Sequence, residues 1–394
     1  MAERLNLVTG ALGFTGSYVV RELLRAGQCV VGTDLPGALA NQELRAVARS
    51  VGVDTSHPEL ELVPADLLDP GSLDALFRRP VTHVFHPASL YDYSASLERL
   101  RRINVQGTRN LVQALSGADL ERFVHWSTCG VFGKPYTAAD GQRVNVPFSE
   151  ESSSPKTEPP GSPGPAGTHL VNEYSQSKWE QEQVMWAAHR EDGLPLTVVR
   201  PAPIYGPGSD YGHGGIILAI AQGFLPAIPA DAKNFITTSV HVADTARLAV
   251  FLADRDDTLG EDYDAVDSSI ISYHEFLHYI ALLTGRKMRD VPVVPMESLR
   301  LVMMGGASAW TWLERRLRVP RVRVFEVQST PYICSSYWLD NAKSRSTGFE
   351  YSYPDVREGL KETVAWYRER GWLTDRRRSL YVGREGSKDT PTAP

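Results

Sequence analysis

Tyr174 and Lys178 stand four positions apart in Tyr174-Ser175-Gln176-Ser177-Lys178, within a stretch from about Asn172 to His189 that reads as a helix. Positions i and i+4 share one helix face, so the phenol and the ammonium point the same way. A neighbouring cation favours phenolate and brings a group with a reference pKa of about 10 closer to use as a base near neutrality. Two hydroxyls, Ser127 and Thr128, follow a strand-like run from Arg122 to Trp126. At the end of a strand in an open parallel sheet they sit where substrates bind. A Tyr–Lys pair at this spacing is common by chance, and its meaning depends on what accompanies it.

A second constellation, His274-Glu275-Phe276-Leu277-His278, matches the zinc-protease pattern His-Glu-x-x-His. Ser272 and Glu275 form a capping box, and Phe276, Leu277, Ile280 and Leu283 make a packing stripe, so helix-start physics accounts for it. No third ligand is evident in the sequence, and no metal is expected. His86, in His86-Pro87-Ala88-Ser89, has no charge partner nearby and reads as a packed turn residue.

The elements that must position the Tyr–Lys pair begin at Leu5. An apolar run to Thr9 leads into Gly10, Gly13 and Gly16, and then into an amphipathic segment with Val19, Val20, Leu23 and Leu24 on one face. Gly10 permits a sharp turn, Gly13 lets the backbone approach a pyrophosphate, and Gly16 lets helix and strand pack closely. The next strand ends in Asp34, eighteen residues past Gly16, where an acid grips adenosine ribose hydroxyls. Leu35, Pro36 and Gly37 follow, with no cation for a 2′-phosphate, so the pattern favours NAD over NADP.

A helix from about Ala38 to Val51 precedes a strand at 59–63 and Asp66, which can accept from an adenine amino group or cap the next helix. Val81 to Phe85 is a fourth strand, leading to Pro87, Ala88 and Ser89 beneath a bound cofactor. A long helix, roughly Leu97 to Leu115, carries Asn104 in its middle, where a polar contact or a tolerated surface residue would account for it. Residues 149–169 are rich in proline, serine and glycine and read as a loop, either a flap beside the site or a neutral insertion.

The 394 residues, 42% hydrophobic and 22% charged, suffice for a large core, one major domain and a smaller lobe. A net charge of −6 gives no basic footprint for nucleic acid. Cys29, Cys129 and Cys334 are too scattered for a disulfide framework or metal cluster. The opening residues carry no signal-peptide pattern and no run of about 18 apolar residues occurs, which suggests a cytoplasmic protein.

Taken together, the chain resembles the extended short-chain dehydrogenases/reductases from about Leu5 to Trp372. The resemblance rests on Thr9-Gly10-x-x-Gly13-Phe14-x-Gly16, Asp66, Asn104, Ser127-Thr128, Tyr174-x-x-x-Lys178 and Arg200-Pro201-x-x-Ile204-Tyr205-Gly206-Pro207-Gly208. It implies Tyr174 as general acid/base, Lys178 on the nicotinamide ribose, Thr128 on the reacting hydroxyl and residues 201–204 along the carboxamide. The implied NAD site comprises Gly10, Gly13, Phe14, Thr15, Gly16, Asp34, Asp66, Leu67, Pro87, Ala88, Ser89, Asn104, Ser127, Tyr174, Lys178, Pro201, Ala202 and Ile204. A homodimer is implied as well. The fold expected is α/β, a doubly wound parallel (Rossmann) sheet formed by residues 1–204 and about 236–264. A smaller substrate lobe is expected at 205–235 and 265–372, with a disordered tail at 373–394.

Within that family, 4,6-dehydratases place an acidic pair after the catalytic Thr, where this chain has Cys129-Gly130. Nucleotide-sugar epimerases carry a diphosphate-gripping Arg where this chain has Thr237. The later segments, Ile204 to Gly208, Ile216 to Ile220, Tyr337 to Lys343 and Glu358 to Thr363, resemble 3β-hydroxysteroid dehydrogenases and sterol 4α-carboxylate 3-dehydrogenases. The expected substrate is a sterol or steroid alcohol. A nucleotide-sugar epimerase and a non-catalytic NAD-binding regulator are the alternatives. The uncharged stretch Leu301 to Leu313, followed by Arg315, Arg316, Arg318, Arg321 and Arg323, is too short to span a bilayer. It reads as a lid over an apolar ligand, a buried helix, or a peripheral membrane contact through 301–323.

Overall fold

A computed structural model of the chain describes residues 4–134, 146–317 and 336–375. Arg318, Arg321, Arg323, Cys334 and the segment 376–394 lie outside the described residues.

The chain opens with β1 (Leu5–Thr9), α1 (Phe14–Arg25) and β2 (Cys29–Asp34). The helix expected over 38–51 is instead two, α2 (Pro36–Ala40) and α3 (Gln42–Ser50), because Asn41 between them turns its side chain to accept from the amides of Glu43 and Leu44. An Asn at that point starts a new helix more readily than it continues an old one. Next come β3 (Leu60–Pro64), α4 (Pro70–Leu76) and β4 (His83–His86). Asp69 caps α4 by accepting from Gly71 at 3.1 Å. Asp66 is thereby released from capping and closes a tight turn with the Leu68 amide at 2.9 Å.

The long helix expected over 97–115 is interrupted. A short α5 (Leu97–Leu100) and α6 (Gly107–Ala114) flank a π-helical turn at Arg101–Gln106 that contains Asn104. Such turns are rare and cluster at functional sites. After β5 (Arg122–Trp126) and a 3₁₀ turn at Cys129–Phe132 come α7 (Glu173–Asp192), β6 (Leu196–Pro201) and β7 (Ile204–Tyr205). Then follow α8 (His213–Ala221), β8 (Ala227–Pro229), β9 (Ile236–Thr237), β10 (Val240–His241), α9 (Val242–Ala253) and β11 (Glu261–Ala265). The last elements are β12 (Ile271–Ser272), α10 (Tyr273–Leu283), β13 (Arg289–Val291), α11 (Met296–Leu317), α12 (Ala342–Ser346) and α13 (Val356–Glu369).

Seven strands form one parallel sheet in the order β11-β6-β5-β4-β1-β2-β3. The direction of winding reverses between β1 and β4, so the crevice for a ligand opens at their carboxyl ends. Val8 of β1 pairs with Gly32 of β2 on one side and with Phe85 of β4 on the other, and β1 and β4 are both buried on two faces. Burial on both faces is why adjacent apolar residues, Leu7-Val8 in β1 and Val84-Phe85 in β4, occur at their centres. A separate apolar cluster joins α8, α10 and α13 through Ile217, Phe276, Ile280, Leu360 and Tyr367. That cluster stands over the same end of the sheet, because β7 and β10 pair as direct extensions of the chain beyond β6 and before α9.

Residues 149–169 pack more specifically than their composition suggests. The Trp179 indole donates to the Ser162 carbonyl at 2.7 Å, the Glu150 carboxylate accepts from the Asp264 amide at 2.7 Å, and Lys156 pairs with Glu261 and Asp262. Polar anchors replace the apolar ones this segment lacks. None of residues 149–169 lines the cavity described next.

Candidate active site

The glycine turn is shaped by contact. Gly10 has φ of +62°, and a Cβ on Gly16 would lie 2.0 Å from the Gly10 carbonyl oxygen, so only glycine fits there. The α1 helix that follows begins at Gly13 with no side-chain cap and no acid in its first turn. Its first amides are therefore left facing the crevice, an arrangement suited to a pyrophosphate. Asp34, at the end of β2, accepts from the amides of Leu12 (3.1 Å) and Leu35 (2.9 Å), which fixes its carboxylate on the cavity wall. The donors and glycines present fit a dinucleotide.

Lys178 lies one helical turn after Tyr174 on α7, whose N-cap Asn172 accepts from the Ser175 amide at 2.8 Å. Its ammonium is almost completely buried and donates to the Trp126 carbonyl (2.6 Å), Ser89 Oγ (3.1 Å) and Gln181 Oε1 (2.5 Å). Burial lowers its pKa to about 7, opposed by the Glu182 carboxylate. Gln181 passes the connection to Thr108 Oγ1 at 2.8 Å, Thr108 to His86 Nε2 at 3.0 Å, and His86 Nδ1 to Thr9 Oγ1 at 2.8 Å. One buried polar chain thus runs from the lysine to the residue before the glycine turn. Burial and the Lys178 charge hold His86 at about 3, so it serves as a neutral spacer, in keeping with its reading as a packed residue.

Asn104 performs positioning from behind the wall. Its side chain accepts from the Leu90 amide (2.7 Å) and donates to the Leu90 carbonyl (3.2 Å) and Ser177 Oγ (3.1 Å). It clamps the segment after Ser89 to the helix carrying Tyr174 and Lys178, and the π turn is what directs it inward. Thr128 caps the 3₁₀ turn by accepting from the Gly130 amide at 3.2 Å. Burial pushes the adjacent Cys129 thiol up to about 12, so the position after Thr128 holds no base.

Tyr174, Lys178 and Thr128 line one cavity of about 1380 Å³, as do all the sequence-derived cofactor residues except Asn104. Ligand pockets usually measure roughly 300–1,000 Å³, so this one has room for a dinucleotide and a second molecule. Sequence reasoning missed an aromatic cluster at its centre. Tyr91 and Tyr93 lie with ring centroids 4.9 and 5.6 Å from Tyr174, and Tyr211 lies 4.7 Å from Tyr91 and accepts at its hydroxyl from the Tyr93 amide at 3.0 Å. The aromatic alternation Tyr91-Asp92-Tyr93 was the available signal. Also missed were the walls from Leu225, Ile228, Leu277, Met296 and Met303. Thr237 is buried on the same wall.

The residues 6–265 match the model of the NAD dependent epimerase/dehydratase family. The chain belongs to that family. It is 28% identical over 373 residues to the sterol demethylase protein B of Methylococcus capsulatus, covering 93% of this chain and 99% of the relative. It is 26% identical over 370 residues to a UDP-glucose 4-epimerase of Haemophilus influenzae, covering 93% of both. Its fold is shared with a dTDP-glucose 4,6-dehydratase of Streptomyces venezuelae solved with NAD and TYD bound, with a TM-score of 0.66, 24% identity, and coverage of 93% of this chain and 98% of that one. NAD is the cofactor.

The stretch read as a possible lid lies in α11. Met296, Leu299 and Met303 face the cavity while Leu301, Val302 and Trp312 are exposed. Among the described residues no helix is long and apolar enough to cross a membrane.

Proposed function

We propose that this protein oxidises a secondary alcohol carried on a bulky apolar skeleton of the sterol class. Tyr174 takes the hydroxyl proton as general base, Thr128 orients that hydroxyl, and Lys178, held by Ser89, Trp126 and Gln181, biases the phenol toward phenolate and holds the nicotinamide ribose. NAD supplies the hydride acceptor when bound. The rings of Tyr91 and Tyr93 pack against Tyr174.

The supporting observation is the chemistry of the cavity beyond Tyr174. From Ser209 onward in the chain the lining includes Tyr211, Ile216, Leu225, Ile228, Leu277 and Met296 and, among the described residues, no lysine or arginine; the cations on the cavity, Arg99, Arg102 and Lys178, come from earlier segments. His213 there is held at about 4 by burial and is uncharged near neutrality. Burying two phosphates beside such a wall is costly, whereas an apolar ring system gains from it. The position at which epimerases present a diphosphate-gripping Arg carries Thr237. The relative named for sterol demethylation is consistent with this reading. With a 4α-carboxysterol, oxidation at C3 gives a β-keto acid, which loses CO₂ through its enol without further acid–base residues. That suits a site in which Cys129 and Gly130 follow Thr128.

The test is NADH formation with NAD and a 4α-carboxysterol, a plain 3β-hydroxysteroid and UDP-glucose, for the wild type and Tyr174→Phe. NADH from a steroid that depends on Tyr174 is expected. Interconversion of UDP-glucose with no net NADH would replace this reading with an epimerase, and NAD binding without turnover of any substrate would replace it with a regulator.

A further inference from the structure

The outer surface of α10 carries a second cluster, remote from the polar chain around Lys178. His274 and His278 lie one turn apart, and their rings stack with centroids 4.2 Å apart at 29°. The sequence offered no third ligand, but the fold supplies one from twelve residues downstream of His278. Asp290, on β13, places its Oδ1 2.9 Å from His274 Nε2 and 2.8 Å from His278 Nε2. β13 is held in place by parallel pairing with β8, Asp290 opposite Ile228. The three ligand atoms lie within 4.8 Å of one another.

We propose that His274, His278 and Asp290 bind a divalent cation of the zinc class, stapling α10 to β13. A tetrahedral zinc ion, with bonds of roughly 2.0–2.1 Å, needs its ligand atoms about 3.3 Å apart. The observed N···O separations fall short of that by a few tenths of an ångström, which small side-chain rotations supply. Two imidazole nitrogens and one carboxylate oxygen suit zinc, cobalt or nickel, whereas calcium and magnesium call for more oxygen ligands. The three side chains are 27%, 32% and 48% exposed, so the fourth position faces water.

The site is not a peptidase centre. The Glu275 carboxylate accepts from the Ser272 amide and hydroxyl at 3.1 and 3.2 Å in the capping box, so it is committed to the helix start. The staple is instead placed to brace the substrate end of the cavity. Tyr273 and Leu277 of α10 line that wall from one side of the staple, and β13 leads directly to Met296 and Leu299 of α11 on the other. An ion that binds the folded chain and not the unfolded one also raises stability by mass action.

The test uses tag-free full-length protein treated with a chelator and titrated calorimetrically with zinc chloride. In parallel, cobalt chloride is added and its visible d–d absorption followed. The expected result is one ion per chain, a cobalt spectrum of tetrahedral intensity and a rise in Tm with zinc. In His278→Ala and in Asp290→Asn, affinity is expected to fall at least tenfold and the zinc-induced rise in Tm to disappear. Because the three side chains are partly exposed, the metal-free variants should keep the wild-type NAD affinity, which shows that they are folded. No binding to the wild type, or binding unchanged in both variants, would overturn the proposal and leave the cluster as a hydrogen-bonded histidine pair.

Discussion

The two ends of the cavity are built on different principles. At the Tyr174 end, key polar groups are held by others: Lys178 by three acceptors, His86 between Thr9 and Thr108, and Leu90 by Asn104. At the far end the wall is an assembly of side chains from α8, β8, α10 and α11, held by packing. Networks of hydrogen bonds fix atoms to a few tenths of an ångström, which proton and hydride transfer require. Packed apolar walls tolerate exchange of side chains and so set which molecule enters. On the proposed function, the reaction type resides at one end and the substrate choice at the other.

Substitutions that separate the ends should have separable effects. Tyr174→Phe removes the base and is expected to lower kcat by about 10²–10⁴-fold while the NAD dissociation constant, measured by fluorescence, stays the same. Asn104→Leu leaves the Leu90 amide unpaired and removes the donor to Ser177 Oγ, which keeps its own bond to the Tyr174 carbonyl; it is expected to cost about 1–3 kcal/mol of stability, with a fall in kcat, in denaturant unfolding and steady-state assays. Leu225→Ala, at the other end, is expected to lower kcat/KM for the apolar alcohol about 10-fold with no change in NAD affinity, since each lost pocket contact is worth about 1–3 kcal/mol. If Leu225→Ala instead weakened NAD binding, the division between the two ends would be wrong.

A further expected effect concerns pH. Asp267 is buried, with Oδ2 unpartnered and Oδ1 accepting from the Ser269 amide at 2.8 Å. Burial raises its pKa from 3.8 to about 8, against the lowering effect of the Ser269 hydrogen bonds. The folded chain therefore keeps a proton that the unfolded chain releases, and the wild type loses stability as pH rises from about 4 to about 8. Asp267→Asn should raise Tm more at pH 8.5 than at pH 5.5. Equal shifts at both values would show that Asp267 is ionised in the folded protein.

The same contrast governs what the sequence disclosed. The cofactor turn, Asp34 and the Tyr174–Lys178 pair lie within short windows whose spacing is set by strand and helix periods, so they were legible. Asn104 was visible as a polar residue inside a helix, but the π turn that aims it at Leu90 was not, because nothing local distinguishes such a turn from continuous α-helix. The apolar period continues across Asn41, which hides that its side chain caps the next helix. Contacts across long separations left no local trace: Tyr211 reaches Tyr93, and Asp290 comes to His274 only because β13 pairs with β8. Composition marks residues 149–169 as lacking apolar side chains but says nothing of Ser162 as an acceptor for Trp179.

The central claim is that hydride leaves the carbinol carbon of an apolar alcohol while Tyr174 takes its proton. The most direct measurement uses a 3β-hydroxysteroid, plain or 4α-carboxylated, with deuterium in place of the hydrogen on C3, and weighs the reduced cofactor by mass spectrometry. The account predicts one deuterium per NADH formed by the wild type and formation of labelled NADH at least 100-fold slower in Tyr174→Phe. Unlabelled NADH, or labelled NADH formed at full rate by Tyr174→Phe, would contradict it.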